Sequence, residues 1–328
     1  MSMPFCNSRR LGHSLLLLYC LLILLVGCSK APEDHYTPRY ATTVNDKTVY
    51  RFAILPQYNP QLLSRLYTPF MDYLSARIPD ATFAMESSAT FAAFERKISQ
   101  RATPFVLANP YHTLLGIQSG YSVFAKQADD QEFRGLLLVR RDSTIHSPAD
   151  LRGKRIAYPS PTAVAAAMLP QAFLQAHGID VMHDTQTEYV GSQESTILAL
   201  SLGQVDVAAS WPPAWRAFQQ LHPQQAAAIK IMWQTANLPS NSLMARNDVA
   251  PELVSQLQQV IFDMPNNPEG RAVLKQMLTD SFTIASNATY DSMREFVRHF
   301  SHTVRPINCY ELPRGGPQQA KTTHFDKH

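Results

Sequence analysis

The sequence has 328 residues, with 29 Lys and Arg against 26 Asp and Glu, a formal net charge of +3. So small an excess, spread without clusters, excludes a nucleic-acid-binding face. The length is ample for two lobes.

Arg9 and Arg10 open a positive segment, and an uncharged apolar run from Leu15 to Val26 follows. That run suits the hydrophobic part of a signal peptide and falls short of the roughly 18–20 residues that span a bilayer. It closes on Leu25-Val26-Gly27-Cys28, which resembles the bacterial lipobox. The sequence therefore predicts a lipoprotein signal peptide over 1–27, lipid on Cys28, and periplasmic location on a membrane surface; an uncleaved anchor is the alternative. Cys6 and Cys20 leave with the signal and Cys28 is occupied, so Cys309 alone remains and no intramolecular disulfide can form. Residues 28–48 are polar, proline-bearing and aperiodic, and read as a tether.

From residue 50 strands and helices alternate. Strands are expected over 50–56, 81–85, 105–108 and 121–125. Helices are expected over 61–78, with Leu62, Leu63, Leu66, Phe70 and Leu74 at helical spacing, and over 91–101 and 111–118. A change of lobe is expected near Arg134, where 135–139 is a strongly apolar strand. A second series follows: strand 155–158, helix 163–177, strand 187–190, helix 194–202, strand 205–209. Segments 229–233 and 242–246 read as the return crossing. Helices over 251–264, 269–277 and 291–302 should pack back on the first lobe, and the chain beyond 306 reads as a polar tail. The pattern predicts α/β lobes, each a sheet flanked by helices: residues 49–134 with 240–305, and residues 135–239.

The order of motifs resembles a known family, the PhnD-like phosphate/phosphite/phosphonate-binding, type II periplasmic binding proteins of ABC transporters. Phe52-Ala53-Ile54-Leu55-Pro56-Gln57-Tyr58 is similar to its opening strand and first pocket loop, and Asp150-Leu151-Arg152-Gly153-Lys154-Arg155-Ile156-Ala157 to its "D-L-(K/R)-G-K-R-I-A" strand entry. Leu169-Pro170 recurs inside the next helix, and Gly203-Gln204-Val205-Asp206-Val207-Ala208 resembles the "G-x-V-D-A-A" turn. The resemblance implies a two-lobed fold with mixed sheets joined by two crossing strands, closing on a small anion.

The chain departs from that family inside the expected pocket. The helix after Pro159-Ser160-Pro161-Thr162 should present free backbone N–H groups to an anion, with Ser160 or Thr162 as cap, ligand contact, or both. Where relatives carry Ser-Thr-Ser, this chain has Ala163, Val164 and Ala165. Gln193 replaces a histidine, Asn241 stands in for an aspartate, and Phe91 takes the place of a tyrosine. The ends of the first and third strands offer Tyr58, Asn109 and Tyr111 as pocket wall. Trp211 could cap the cleft by stacking. Arg134, at the first crossing, reads equally as an oxyanion clamp or a solvated hinge arginine.

Enzymatic signatures are absent from the sequence: there is no Gly-x-Ser-x-Gly and no His-Glu-x-x-His spacing, and His112 has no nucleophile signature beside Asp129 or Asp130. The expected function is a monomeric solute-binding lipoprotein for a small anion, without cofactor, metal or nucleic acid, partnering an ABC permease. A sensor of the same fold, partnering a membrane signalling protein, is the alternative.

Overall fold

The computed structural model describes residues 47–307. The signal peptide, Cys28, nearly all of the tether, Cys309 and the tail lie outside them. Among the described residues no helix is long and apolar enough to cross a membrane.

Two sheets form, each flanked by helices. The first contains β1 (Thr48–Ile54), β2 (Ala81–Glu86), β3 (Phe105–Ala108), β4 (Tyr121–Gln127), β10 (Ser242–Arg246) and β11 (Phe282–Ile284), in the order β11-β4-β10-β3-β1-β2. Strands β1, β2 and β3 pair in parallel, and β10 enters antiparallel between β3 and β4. The second contains β5 (Arg134–Arg140), β6 (Arg155–Tyr158), β7 (Gln186–Tyr189), β8 (Val207–Ser210) and β9 (Ile229–Asn237), ordered β7-β6-β8-β5-β9. The chain changes sheet twice, between Gln127 and Arg134 and between Asn237 and Ser242. These two crossings lie side by side: Leu238 N–H donates to Phe133 O at 3.1 Å, Gln127 N–H to Asn241 O at 2.9 Å, and Ser240 N–H to Asp130 Oδ1 at 2.8 Å.

Local signals explain the first lobe's helices. Helix α1 (Pro60–Arg77) starts where Asn59 accepts from Leu62 N–H and Pro60 pre-sets the first turn, and it buries Leu62, Leu63, Leu66, Phe70 and Leu74. Its Phe70 stacks on Phe282, while Phe52 stacks on Phe105 with centroids 5.4 Å apart. Each such ring contributes roughly 1.5–3 kcal/mol by burial. Helices α2 (Phe91–Ser99) and α3 (Pro110–Gln118) are capped by Thr90 and Asn109 in the same way.

In the second lobe the helix expected over 163–177 divides. Val164–Met168 is a π-helical turn, and α4 (Leu169–Ala176) continues from it. Pro170 is the cause: its ring would strike the carbonyl four residues back and it has no N–H to donate, so the turn widens. Met168 N–H instead reaches Ala163 O at 3.1 Å, five residues away. Helix α5 (Gln193–Ser201) follows β7. Two helices unforeseen in the sequence, α6 (Pro212–Leu221) and α7 (Pro223–Ala227), link β8 to β9. Helices α8 (Pro251–Asp263), α9 (Pro268–Gln276) and α10 (Asp291–Thr303) return to the first lobe, packing against β4 and β11, α1, and α3 respectively.

Candidate ligand-binding cleft

Between the lobes lies a cavity of about 20 Å³, lined by Leu55, Gln57, Phe91, Asn109, Phe133, Ala163, Val164, Ala165, Ala166, Gln193, Trp211 and Asn241. Most of these residues stand just past the carboxyl ends of parallel strands, where the connecting loops leave the sheet. Five mark helix starts: Phe91 opens α2, Asn109 caps α3, Ala163 caps the π turn, Gln193 opens α5, and Trp211 caps α6. Each helix brings a partial positive charge to its N-terminus, and no lining residue is formally charged. The lining therefore offers an anion helix dipoles and no cationic side chain.

Donors are distributed unequally among these ends. Thr90, Asn109 and Ser192 use their own side chains to cap α2, α3 and α5, whereas Ala163 and Trp211 supply no side-chain cap. Helix α6 opens with Pro212 and Pro213, which have no N–H. The turn at Ala163 is thus the main donor face, with the N–H groups of Val164, Ala165 and Ala166 lacking a carbonyl in the preceding turn. Three buried side-chain atoms at the cavity also have no partner among the described residues: Trp211 Nε1, Gln193 Oε1 and Asn241 Oδ1. Asn241 is fixed in that sense because its Nδ2 donates to Gln127 Oε1 at 2.8 Å. The cavity thus combines four donors with two acceptors.

Several bonds cross from one lobe to the other. Asn109 Nδ2 donates to Thr162 O at 2.9 Å, and Gln193 N–H approaches Gln57 O at 3.4 Å. Asn59 Nδ2 donates to Glu194 Oε2. The Thr162 hydroxyl donates to Glu95 Oε1 at 2.6 Å, the oxygen that also meets His112 Nε2 at 3.0 Å. The lobes are drawn together: 20 Å³ holds about one water, so a solute of several heavy atoms enters only when they separate.

A family profile described as "ABC transporter, phosphonate, periplasmic substrate-binding protein" matches residues 52–290. The chain belongs to this phosphonate-binding protein family. Among solved structures, a binding protein component of an ABC phosphonate transporter from Pseudomonas aeruginosa superposes with a TM-score of 0.72 at 19% identity, covering 79% of this chain and 88% of that one. PhnD1 from Prochlorococcus marinus, in complex with methylphosphonate, gives 0.71 at 18% identity over 77% and 98%. A Xanthomonas citri protein bound to chloride gives 0.63 at 19% identity over 78% and 98%. At these identities the likeness establishes the fold: two mixed sheets flanked by helices, as in two-lobed periplasmic binding proteins.

Against that family background, Phe91, Asn109, Ala163, Val164, Ala165, Gln193, Trp211 and Asn241 all reach the cavity. The other expected residues lie elsewhere. Tyr58 faces an adjoining space of about 10 Å³, shared with Tyr67, Gln127 and Asp129 and reached past Gln57 and Trp211. Burial pushes the Tyr58 hydroxyl far above its ordinary range. Tyr111 is buried with its ring edge-on to His112. The Arg134 guanidinium stays at the hinge, donating to Gln131 O and to Gln234 Oε1 at 2.8 Å and pairing with Glu132. Its carboxylate neighbour two residues back holds it there, so it does not enter the cleft. Burial tends to raise the Glu132 carboxyl, but Arg216 and Arg134 outweigh burial and hold it below its ordinary range. Ser160 and Thr162 do not cap the helix either: the cap is Ala163, and the hydroxyl proton of Thr162 goes to Glu95.

Leu55 and Gln57 belong to the segment that resembles the first pocket loop, where Tyr58 is the residue singled out; Phe133 and Glu95 escaped the sequence reading. Phe133 carries no motif and reaches the cavity only through the hinge. Glu95 sits on an otherwise apolar helix face beside Phe91, Phe94 and Ile98, which was a usable signal for a buried partner. Gly135 also escaped: a Cβ there would lie 2.8 Å from Ala165 O and 2.7 Å from Pro170 Cδ, so only glycine lets β5 pass beneath the donor turn.

Proposed function

We propose that the protein is an extracytoplasmic solute-binding lipoprotein that captures a small phosphorus oxyanion, such as phosphonate, phosphite or phosphate, for an ABC permease. The observation that carries this reading is the convergence of five helix N-termini on a cavity with no charged side chain. Backbone N–H groups and dipoles suit an anion, and the main donor face is the turn at Ala163. Ala163, Val164 and Ala165 bring no hydroxyls, so Val164, Ala165 and Ala166 N–H and Trp211 Nε1 act as the donors. Asn241 Oδ1 and Gln193 Oε1 are acceptors and need a donor in the ligand. A phosphonate or phosphite monoanion retains one P–O–H, enough for one of these acceptors, and a phosphate monoanion retains two; sulfate and sulfonates at neutral pH carry no proton and leave both unpaired. Closure sequesters the ligand, and the closed form docks on the permease. Lipid on Cys28 keeps the protein at the membrane, and the two or three acyl chains of a bacterial lipoprotein anchor far more firmly than one.

Thermal unfolding in the presence of methylphosphonate, phosphite, phosphate, sulfate and methanesulfonate tests the reading. A phosphorus oxyanion at 100 times its Kd should add about 2.7 kcal/mol of stability, while the sulfur oxyanions do little. Stabilisation by none of the phosphorus oxyanions, or a preference for sulfate, would overturn it. Anchoring is tested separately: Cys28→Ser should abolish incorporation of radiolabelled palmitate, and continued labelling contradicts it.

A further inference from the structure

We propose that Arg305 is a strap that fastens the closed cleft and positions the loop leading into the donor turn. It lies beyond the 52–290 match that defines the family, on the segment that follows α10. Its backbone is rooted in the first lobe: Arg305 N–H donates to Phe300 O at 3.3 Å, Val304 is buried, and the guanidinium lies 5.1 Å from the Phe300 ring centroid. The head of the side chain belongs to the second lobe. Nη2 donates to Pro161 O at 2.6 Å and Nε to Gln171 Oε1 at 2.8 Å. Gln171, wholly buried on α4, passes the connection on by donating from Nε2 to Tyr189 OH at 3.1 Å. The Tyr189 ring in turn faces the guanidinium at 5.9 Å.

Three features make this a strap and not a surface contact. The two bonds join lobes that separate on opening, so they exist only in the closed form and bias the equilibrium toward it. They are charge-assisted, the bond to Gln171 is partly buried, and burial pulls the Arg305 guanidinium below its ordinary range, the direction expected of a cation drawn partly out of water. And Pro161 is two residues before Ala163, so holding its carbonyl fixes the backbone that aims the Val164, Ala165 and Ala166 N–H groups. Arg305 does not line the cleft cavity and is a positioning residue.

The inference rests on the two lobes and their closure, and not on which solute binds. Hydrogen exchange of the ligand-free full-length protein, read by mass spectrometry, therefore tests it alone. Gln193 N–H, bonded across the cleft to Gln57 O, reports opening, as does Ala163 N–H, bonded to Ser160 O at 3.2 Å in the loop that Arg305 holds. Arg305→Ala should raise exchange in peptides covering 161–166 and 192–196 by about tenfold, the loss expected from a charge-assisted hydrogen bond. Exchange in the β5 core, Leu136 to Val139, should stay at the wild-type rate. Arg305→Lys, which keeps the charge and can reach one acceptor but not both, should fall between. Unchanged exchange at both cleft segments in Arg305→Ala would overturn the proposal. So would an equal rise in the cleft and in the β5 core, which marks general destabilisation.

Discussion

Gly135→Ala should damage the cleft from beneath without touching any lining residue. Strand β5 is an interior strand, paired to β8 through Leu136, Leu137 and Leu138 and to β9 at Arg134 and again from Leu136, with Gly135 at the irregularity between them. Gly135 N–H is further held by Thr235 Oγ1 at 2.8 Å. A Cβ added at 135 meets Pro170 Cδ at 2.7 Å, Ala165 O at 2.8 Å and Pro170 Cγ at 2.9 Å, against a carbon–carbon optimum of about 3.5–4.0 Å. None of these atoms ends a flexible side chain. Pairing on both edges from Leu136 onward and the Thr235 bond limit how far β5 can retreat, so the donor turn must move by roughly 0.5–1 Å to restore contact distances. Overpacking of this kind costs about 1–3 kcal/mol, and a molecule of this size loses roughly 2–4 °C of Tm per kcal/mol. Because the displaced element carries the Val164–Ala166 N–H groups, the Kd for methylphosphonate should rise by at least about tenfold, one factor of ten per 1.4 kcal/mol. Differential scanning calorimetry and isothermal titration measure the two effects on one preparation. A variant with wild-type Tm and wild-type Kd would refute the reasoning.

Ala163→Ser should separate stability from binding: a serine at this uncapped N-cap gains about 0.5–2 kcal/mol but takes an N–H the anion needs, so Tm rises and affinity falls, and tighter binding would show the hydroxyl gripping the ligand instead. Thr162→Val removes the buried bond to Glu95 across the cleft, worth roughly 1.5–3 kcal/mol, and should weaken methylphosphonate binding at least about tenfold while Thr162→Ser restores it; equal affinity in both contradicts the latch. Glu132, held below its ordinary range at the hinge, contributes stability that is complete above about pH 4.3 and is lost as pH falls through its folded value. Thermal unfolding should therefore show wild type more stable than Glu132→Gln at neutral pH with the gap closing in acid, and a gap independent of pH would dismiss the hinge pair.

The architecture was legible where pattern and packing agree. Leu62, Leu63, Leu66, Phe70 and Leu74 mark a buried helix face because 3.6-residue spacing leaves little else they can do. Helix α6 was hidden because Pro212-Pro213 reads as a turn, although proline in the first helical turn is also a start signal. Strand β11 is three residues long and takes its identity from β4, which no local pattern records. At the cleft, Ala163, Val164 and Ala165 could be placed by counting back from Leu169-Pro170, and Pro170 itself dictates the widened turn. What could not be read were the choices made between distant partners. Thr162 has one hydroxyl proton, and Glu95, 67 residues away, claims it. Arg134 could turn toward the cleft or the hinge, and Glu132 together with Gln234 decides for the hinge. Gly135 looked like an ordinary strand glycine until the donor turn was found resting on it.

The claim on which the account depends is that backbone N–H groups at the Ala163 turn hold the anion. Amide resonances of Val164, Ala165 and Ala166 in ¹⁵N-labelled protein, followed during titration with methylphosphonate, test it directly. Hydrogen bonding to an oxyanion should move all three proton shifts downfield and saturate at one equivalent, with the Trp211 indole N–H moving alongside them. Saturable binding that leaves these three amides in place would contradict the account.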